Sequence, residues 1–140
     1  MRDVLLVAID GSDPSFHAID YAVKLAEAAN FSLGLLHVQP KVNTYYANKK
    51  VGKKKLHEYK KERAIKILEQ GKQRIDKEVP VTVRWRLGIT SQEICDEAKT
   101  IQAVGIVMGT KNMKTIKGKM LGSTCLKVIQ FAPCPVTVVS

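Results

Sequence analysis

The segment Ile106–Thr124 contains the residues of this chain that are best suited to binding a ligand. An apolar run ends at Gly109, a basic loop with Asn112 follows, and Gly122-Ser123-Thr124 then opens an apolar-periodic segment. A strand, a glycine-bearing loop and a helix start, in that order, direct backbone N–H groups and the positive end of a helix dipole at one place. Glycine suits such a loop because a phosphate must approach the backbone closely and because the loop needs positive φ. The segment therefore predicts an anion site.

Two further features of this segment favour a phosphate. Ser123 is predicted as the N-cap of the following helix, and a phosphate could share that terminus. The loop is also cationic, which helps an anionic ligand, although each of its lysines taken singly is best interpreted as a solvated loop residue. These lysines are Lys111, Lys114, Lys117 and Lys119.

Other kinds of reactive site find little support in the sequence. Cys95, Cys125 and Cys134 form no CxxC pair, so we predict reduced, partly buried thiols rather than metal ligands. No Cys, His, Asp and Glu group has metal-ligand spacing, and no G-x-S-x-G elbow marks a nucleophilic serine. Gly118-Lys119 is followed by Met120 instead of Ser or Thr, so the chain has no Walker lysine motif.

The charge of the chain is concentrated in one region. Of the net charge of +10, residues 41–77 contribute +9, with 13 Lys/Arg and 4 Asp/Glu. The remaining residues are nearly balanced. The basic run Lys49–Lys61 holds Tyr59 but lacks the aromatic interleaving of a single-strand binding platform. We interpret it as a solvated loop and helix face, and a nucleic-acid role is disfavoured.

Apolar periodicity predicts that strands and helices alternate along the chain. Asp13-Pro14 is predicted to supply an N-cap and a proline at the first helical position, and Thr90 with Glu93 is predicted to form a capping box. The predicted strands are Val4–Ile9, Ser32–Val38, Val81–Leu87, Val104–Met108 and Val136–Val139. The predicted helices carry the apolar stripes Ala18, Tyr21, Ala22, Leu25, Ala26 and Ala29; Leu56, Tyr59, Ala64, Ile67, Leu68 and Ile75; Ile94, Ala98 and Ile101; and the span Ser123–Phe131.

This alternation predicts an α/β fold with five parallel strands, doubly wound, with helices on both faces. The alternating third strand is placed at a sheet edge. Ligands of such sheets bind beyond the carboxyl ends of the strands. That rule points to Asp10-Gly11-Ser12, to His37-Val38 and to the segment from Gly109 onward. The length fits one domain over residues 1–140, and no apolar stretch approaches the ~20 residues of a membrane span, so we expect a cytoplasmic protein.

Several short motifs resemble those of the universal stress protein family, in order and at the right spacing. Asp10-Gly11-Ser12 is similar to the family's opening motif, and Leu35-Leu36-His37-Val38 is similar to its second-strand ending. Met108-Gly109-Thr110, Leu121-Gly122-Ser123 and Ala132-Pro133-Cys134-Pro135-Val136 resemble its C-terminal signature. The resemblance covers the whole chain. It implies the strand order 3-2-1-4-5 of a Rossmann-like fold of the adenine nucleotide α-hydrolase type.

The resemblance also implies a site for an adenine nucleotide, which is ATP, ADP or AMP, with Mg²⁺ as an accompanying ion. Asp10 with Ala8 nearby would hold the ribose or adenine side, and Val38 would pack on the adenine and use its backbone for the base edge. The phosphates would lie among Met108, Gly109, Asn112, Gly122, Ser123 and Thr124. Asn112 stands where the family's nucleotide-binding branch has a glycine, and asparagine tolerates the left-handed conformation best after glycine.

We therefore expect a stress-response regulatory protein that binds an adenine nucleotide, together with an unidentified protein partner. Family members are usually dimers, and Val136–Val139 is an apolar edge strand of the kind that pairs with a second copy. The alternative is a family member without nucleotide that acts by dimerisation and protein contacts. Enzymatic activity stays open: Asp10 is the only carboxylate at the predicted site, so slow ATP hydrolysis is the most we expect.

Overall fold

The computed structural model describes residues 2–41, 52–76, 78–110 and 121–140. Asn112, the four loop lysines and the start of the basic run lie outside these ranges. Strands and helices alternate through the described residues. The strands are β1 (Val4–Ala8), β2 (Ser32–Pro40), β3 (Val81–Gly88), β4 (Gly105–Gly109) and β5 (Val136–Val139). The helices are α1 (Asp13–Ala29), α2 (Lys53–Lys72), α3 (Thr90–Thr100) and α4 (Ser123–Phe131).

The five strands form one parallel sheet with the order β3-β2-β1-β4-β5, which confirms the predicted fold class and strand order. The central strand β1 pairs on both sides, so that Leu6 lies opposite Gly34 and Ile106. The alternating strand β3 lies at one edge, as its pattern predicts. At its carboxyl end β2 continues to Pro40, two residues beyond the predicted end. His37 and Val38 lie within the strand, as predicted.

Two apolar cores cover the two faces of the sheet, because successive side chains of a strand point to opposite sides. Leu5 and Val7 of β1, with Ile9 just after it, pack against α1 and α2 in one core. Leu6 and Ala8 point the other way and pack against α3 and α4 in the second. Each large side chain that is removed from water in this way contributes about 1.5–3 kcal/mol to folding. The sheet is thus buried on both faces, and its exposed ends are left for a ligand.

The starts of three helices differ from the sequence predictions. The N-cap of α1 is Ser12 and not Asp13, since the Ser12 hydroxyl accepts the N–H of Ser15 at 3.4 Å. The N-cap of α4 is Gly122, so that Ser123, predicted as the cap, is the first helical residue. Both predictions were wrong by one residue because adjacent small polar residues all suit a cap, and the backbone torsions decide among them.

The predicted capping box at α3 was also wrong. Its N-cap is Ile89, which makes no side-chain capping bond, and Thr90 is already helical. Glu93 accepts a hydrogen bond from Arg86 of β3 at 3.1 Å instead. Arg86 also donates to the buried carboxylate of Glu97 at 2.9 Å, so the acidic residues of this helix tie it to the edge strand.

Two helical stripes are rotated relative to the predicted ones. Tyr21 and Tyr59 were predicted to face the core, but both are exposed, and Ile19 and Lys60 are buried instead. The Lys60 ammonium donates to the carbonyl of Pro40 at 2.7 Å, which explains how a lysine from the basic run is tolerated inside. Our interpretation of the basic run as a wholly solvated face was therefore wrong at Lys60.

Candidate functional site

A cavity of about 320 Å³ opens at the carboxyl ends of β1, β2 and β4, the place predicted from the topology of the sheet. Most of the residues proposed from the sequence lie on its wall. These are Ala8, Asp10, Val38, Met108, Gly109, Gly122 and Thr124. Ser123 is exposed and is not part of the wall. Asn112 lies outside the described residues. The cavity therefore brings together seven of the nine predicted residues.

The cavity has two lobes, one on each side of the sheet. Leu36 and Val38 of β2 belong to the core beneath α3 and α4, where Ile94 and Met108 complete an apolar wall. We call this part the base lobe; it also holds Ala8 and Thr90. The alternate residues of β2, His37 and Gln39, point to the opposite face, where α2 contributes Arg63 and Ile67. We call that part the α2 lobe.

The backbone of Val38 is the one strand position in the base lobe with hydrogen-bonding groups left over. Leu36 accepts the N–H of Ile9 at 2.9 Å, whereas Leu33 donates to Pro80 beside β3, so even-numbered residues of β2 face β1. β1 pairs with β2 only as far as Ala8 opposite Leu36. The N–H and C=O of Val38 therefore point into the space beyond the end of β1. Within the described residues they have no backbone partner, so they are available to a planar base edge.

The N-terminus of α4 forms the opposite wall of the cavity. Its first intrahelical bond runs from the Leu126 N–H to the Gly122 carbonyl at 3.1 Å, so the N–H groups of the three preceding residues have no intrahelical acceptor. Gly122 carries no capping side chain, and Gly122 and Thr124 both line the cavity. The positive end of the helix dipole and these N–H groups form a seat for an anion.

Asp10 and the start of α1 form the rim between the lobes. The Asp10 carboxylate accepts hydrogen bonds from both the backbone N–H, at 2.9 Å, and the hydroxyl of Ser12. Gly11 has φ of +85°, a value that suits glycine, and it lets the chain turn between Asp10 and the helix. The aspartate thus both organises the loop and presents a negative charge to the cavity.

The buried side chains of His37 and Gln39 give the α2 lobe a fixed hydrogen-bond pattern. His37 Nδ1 lies 2.8 Å from the carbonyl oxygen of Ile9, which can only accept, so Nδ1 carries the proton. The Nε2 atom then accepts from the Gln39 amide at 2.8 Å. Burial lowers the pKa of His37 below its ordinary value of 6.5, and the charge of Arg63 acts in the same direction, whereas Ile9 and Asp10 oppose it. The imidazole is therefore neutral near pH 7.

The helices that roof the cavity were missed by the sequence analysis as ligand-facing elements. Arg63 was counted only in the charge of residues 41–77, and Thr90 was assigned to a capping box, yet both line the cavity. A signal for Arg63 was available, because Arg63 lies four residues before Ile67, and Ile67 belongs to the predicted apolar stripe. The topological rule identifies strand ends but not the helices above them.

Gly109 has a packing role that the motif did not reveal. A Cβ atom at this position would lie 2.4 Å from the carbonyl carbon and 2.6 Å from the carbonyl oxygen of Pro14, in the first turn of α1. Its carbonyl accepts the Cys125 thiol at 3.4 Å, and burial raises the pKa of that thiol above its ordinary value. Gly109 is therefore required where β4 crosses the start of α1.

Neither a metal cluster nor a membrane span is found in the part of the chain that the structure describes. No three His, Cys, Asp or Glu side chains among these residues come together as metal ligands. None of the described helices combines the length and the hydropathy that crossing a bilayer requires. The three cysteines are free thiols, and two of them are partly exposed.

Comparison with known proteins places the chain among one family. The model of the universal stress protein family matches residues 1–140. Universal stress protein YxiE of Bacillus subtilis is 36% identical over 148 aligned positions, which cover 99% of each chain. Universal stress protein UspA from Lactobacillus plantarum has a TM-score of 0.84 and 26% identity, covering 100% of this chain and 99% of the other. The universal stress protein from Archaeoglobus fulgidus, solved in complex with dAMP, shares the fold at a TM-score of 0.68 and 17% identity, covering 100% and 98%.

Proposed function

The chain belongs to the universal stress protein family, and on that premise we propose that it is a regulatory stress-response protein that binds an adenine nucleotide in the cavity at the strand ends. The observation that carries the proposal is the open N-terminus of α4 at one end of an otherwise apolar lobe. A ligand that matches both parts has a planar, apolar-faced base and an anionic group, and a nucleotide has this combination.

The base would lie in the base lobe. Val38 and Ile94 offer apolar contact to the faces of a ring, and the N–H and C=O of Val38 offer one donor and one acceptor in the same plane. The amino-pyrimidine edge of adenine carries a complementary acceptor and donor. Guanine presents a carbonyl where adenine has its amino group, so the same pair of backbone groups discriminates against it.

The phosphate would lie at the N-terminus of α4, where Gly122 and Thr124 reach the cavity. The Asp10 carboxylate at the rim would accept hydrogen bonds from ribose hydroxyls. A triphosphate would bring Mg²⁺, and Asp10 is the one carboxylate on the described wall that could ligate it, with phosphate oxygens and water as the other ligands. The dAMP complex of the Archaeoglobus fulgidus protein supports an adenine nucleotide in this fold.

The test is calorimetric titration of the purified protein with AMP, ADP, ATP and GMP. We expect binding of at least one adenine nucleotide and weaker binding of GMP. The variant Gly122→Asp places a carboxylate on the open helix terminus and should lower the affinity for AMP by about 10- to 100-fold, the cost of losing charged hydrogen bonds. Gly122→Ser, a neutral cap at the same position, is the matched control and should lose less.

Absence of adenine nucleotide binding by the folded wild-type protein would contradict the proposal. Equal AMP affinity in wild type and Gly122→Asp would show that the phosphate lies elsewhere. A single-turnover measurement with ATP and Mg²⁺ checks hydrolysis, and we expect a rate close to that of free ATP, since the described wall carries no second carboxylate to orient water.

Homodimerisation through β5 is the second part of the proposal. β5 is an edge strand, and its neighbour α4 exposes Leu126 and Ile129 on the flank opposite Lys127 and Phe131. An apolar edge next to an apolar helix flank favours pairing with a second copy.

The outward-facing backbone of β5 provides the test of the dimer. The carbonyls of Pro135 and Val139 accept from β4, so residues 136 and 138 face away from it. Val138→Pro removes an outward N–H without breaking the bonds to β4, whereas Val138→Thr keeps it. Light scattering at micromolar concentration should show a dimer for the wild type and the threonine variant and a monomer for the proline variant. A monomeric wild type would contradict this part of the proposal.

A further inference from the structure

A second depression, separate from the cavity at the strand ends, lies between α3 and α4. This α3–α4 groove has a volume of about 690 Å³. Its α3 wall includes Cys95 and Lys99, four residues apart, and its α4 wall includes Lys127 and Phe131, also four residues apart. Side chains at this spacing share one helix flank. Thus the two helices turn matching flanks toward a common channel, and the proposed nucleotide site uses other flanks of both.

Two large apolar side chains that line the groove are exposed to solvent. Phe131 is 68% exposed and Ile89 is 58% exposed, and Pro133, two residues beyond the end of α4, also lines the groove. Ile89, just before α3, and Phe131, the last residue of α4, place one large exposed apolar side chain at each end of the groove. Aromatic side chains of this kind are the usual anchors of protein interfaces. Because its walls are open to solvent, the groove suits a peptide better than an enclosed small molecule.

The charge of the groove favours an acidic occupant. Lys99 on α3 and Lys127 on α4 stand on opposite walls, and Asp96 is the one carboxylate among the lining residues. Neither lysine takes part in an ion pair within the described residues, whereas the exposed cations Arg74 and Arg84 do. This local excess of positive charge is independent of the basic run, because every groove residue lies outside residues 41–77.

The start of α3 adds to this preference. Its first intrahelical bond runs from the Glu93 N–H to the Ile89 carbonyl at 2.9 Å, and Ile89 provides no side-chain cap. The N–H groups of Ser91 and Gln92 therefore precede the hydrogen-bonded ladder, and both residues line the groove. The positive end of the helix dipole thus lies beside Ile89, at one end of the groove.

We propose that the α3–α4 groove docks an acidic peptide segment of a partner protein, with an aromatic or aliphatic anchor seated beside Phe131 and carboxylates between Lys99 and Lys127. A second copy of this chain is a poorer occupant, because the groove carries lysines on both walls and the chain has a net charge of +10. The docking surface does not depend on nucleotide binding, so it can be tested on the protein without ligand.

The probe is a phage-displayed library of random dodecapeptides, selected on the full chain and counter-selected on the double variant Lys99→Glu/Lys127→Glu. We expect an enriched pool of peptides that are rich in Asp and Glu and carry at least one Phe, Trp, Leu or Ile. Synthetic peptides from this pool should bind on the order of tenfold or more weakly to the double variant and also to Phe131→Ser. Their affinity should fall as salt is raised.

The matched control for charge is Lys24→Glu/Lys66→Glu, two exposed lysines on α1 and α2, which changes the net charge equally. The matched control for apolar exposure is Ile65→Ser, an exposed isoleucine on α2. Both should keep the affinity of the wild type. A selection without enrichment, a neutral or basic pool, or binding that is insensitive to the groove variants would overturn the proposal. A change of oligomeric state in Phe131→Ser would instead assign the groove to a second copy and would also overturn it.

Discussion

The N-termini of α1 and α4 lie at the same cavity, but their backbone N–H groups are satisfied differently. The start of α1 is closed by its own chain: the Ser12 hydroxyl accepts from Ser15, and Asp10 holds Ser12 in turn. The start of α4 has Gly122 as its N-cap, and no side chain among the described residues caps it. A helix that satisfies its own first N–H groups has little to offer an anion, whereas an open one does.

The charges around the N-termini of α1 and α4 also differ. Asp10 and Asp13 place carboxylates next to the start of α1, whereas no acidic residue occupies the first turn of α4. An anionic group entering the cavity is repelled at the first terminus and attracted at the second. In the proposed complex, the difference between the two helix ends would orient the nucleotide, with its sugar at α1 and its phosphate at α4.

The largest expected effect comes from the contact that fixes the start of α1 against β4. Gly109→Ala would place a Cβ 2.4 Å from the carbonyl carbon of Pro14, where only backbone could move, so we expect a loss of about 3 kcal/mol in the free energy of unfolding. Gly105→Ala, in the same strand, meets the flexible Leu5 side chain at 3.2 Å and should cost less. Denaturant unfolding of both variants checks this, and equal losses would contradict it.

Removing the N-cap of α1 should have a smaller effect on the free energy of unfolding. Ser12→Ala removes the cap of α1 and the hydroxyl that bonds Asp10, and we expect the free energy of unfolding to fall by about 1 kcal/mol. The affinity for AMP should change little, since the proposed orientation places the phosphate at α4 and not at α1. Ser32→Ala, whose hydroxyl lies 3.5 Å from the Asp3 carbonyl, is the control. A large loss of AMP affinity in Ser12→Ala would contradict the proposed orientation of the nucleotide.

The stability of the protein should also depend on pH through His37. Burial lowers the pKa of His37 in the folded state, so below about pH 6.5 the unfolded chain binds a proton that the folded protein resists. Stability should therefore fall as pH decreases from 6.5 toward the folded-state pKa, and it should level off below that value. Unfolding measured from pH 8 to pH 5 should show a shallower decline in His37→Gln, which does not titrate. Parallel curves would contradict this.

The smallest expected effect is the change in the free energy of unfolding when a side chain caps the start of α4. Gly122→Asp supplies the capping carboxylate that α4 lacks, and we expect the unliganded protein to gain a few tenths of a kcal/mol, although its affinity for AMP falls. Thermal unfolding without AMP measures the expected gain in stability, and thermal unfolding with saturating AMP measures the expected loss of stabilisation by the nucleotide. A destabilised variant without nucleotide would show that Gly122 is needed for packing and would weaken the comparison between the two termini.

The fold could be predicted well because it depends on patterns that extend over many residues. Apolar runs such as Val4–Ala8 specify buried strands, and their alternation with helices leaves few topologies. The helix caps could not be placed, because Ser12 and Asp13 are both good caps and the choice depends on one pair of torsions. Lys60 could not be predicted to be buried either, since its partner is the carbonyl of Pro40 in another element.

The site could be predicted only in part, for a related reason. Strand-end residues such as Asp10 and Val38 are located by topology and by the resemblance to a known family. Thr90 reaches the cavity because of how α3 crosses the sheet, and no local spacing encodes that crossing, whereas the spacing between Arg63 and Ile67 on α2 could have indicated Arg63. The hydrogen bond between His37 and Ile9 joins residues 28 positions apart, so it is also invisible to periodicity.

The contact of Gly109 with Pro14 changes what the glycine motif can be used for. The absence of a side chain at this position is required by the crossing of β4 over α1, whether or not a nucleotide is bound. A relative that has lost its ligand would therefore be under the same pressure to keep this glycine. As a fingerprint for sorting sequences into binders and non-binders, the first glycine carries little information. The residue at the open start of α4, Gly122 in this chain, is the more informative position to compare.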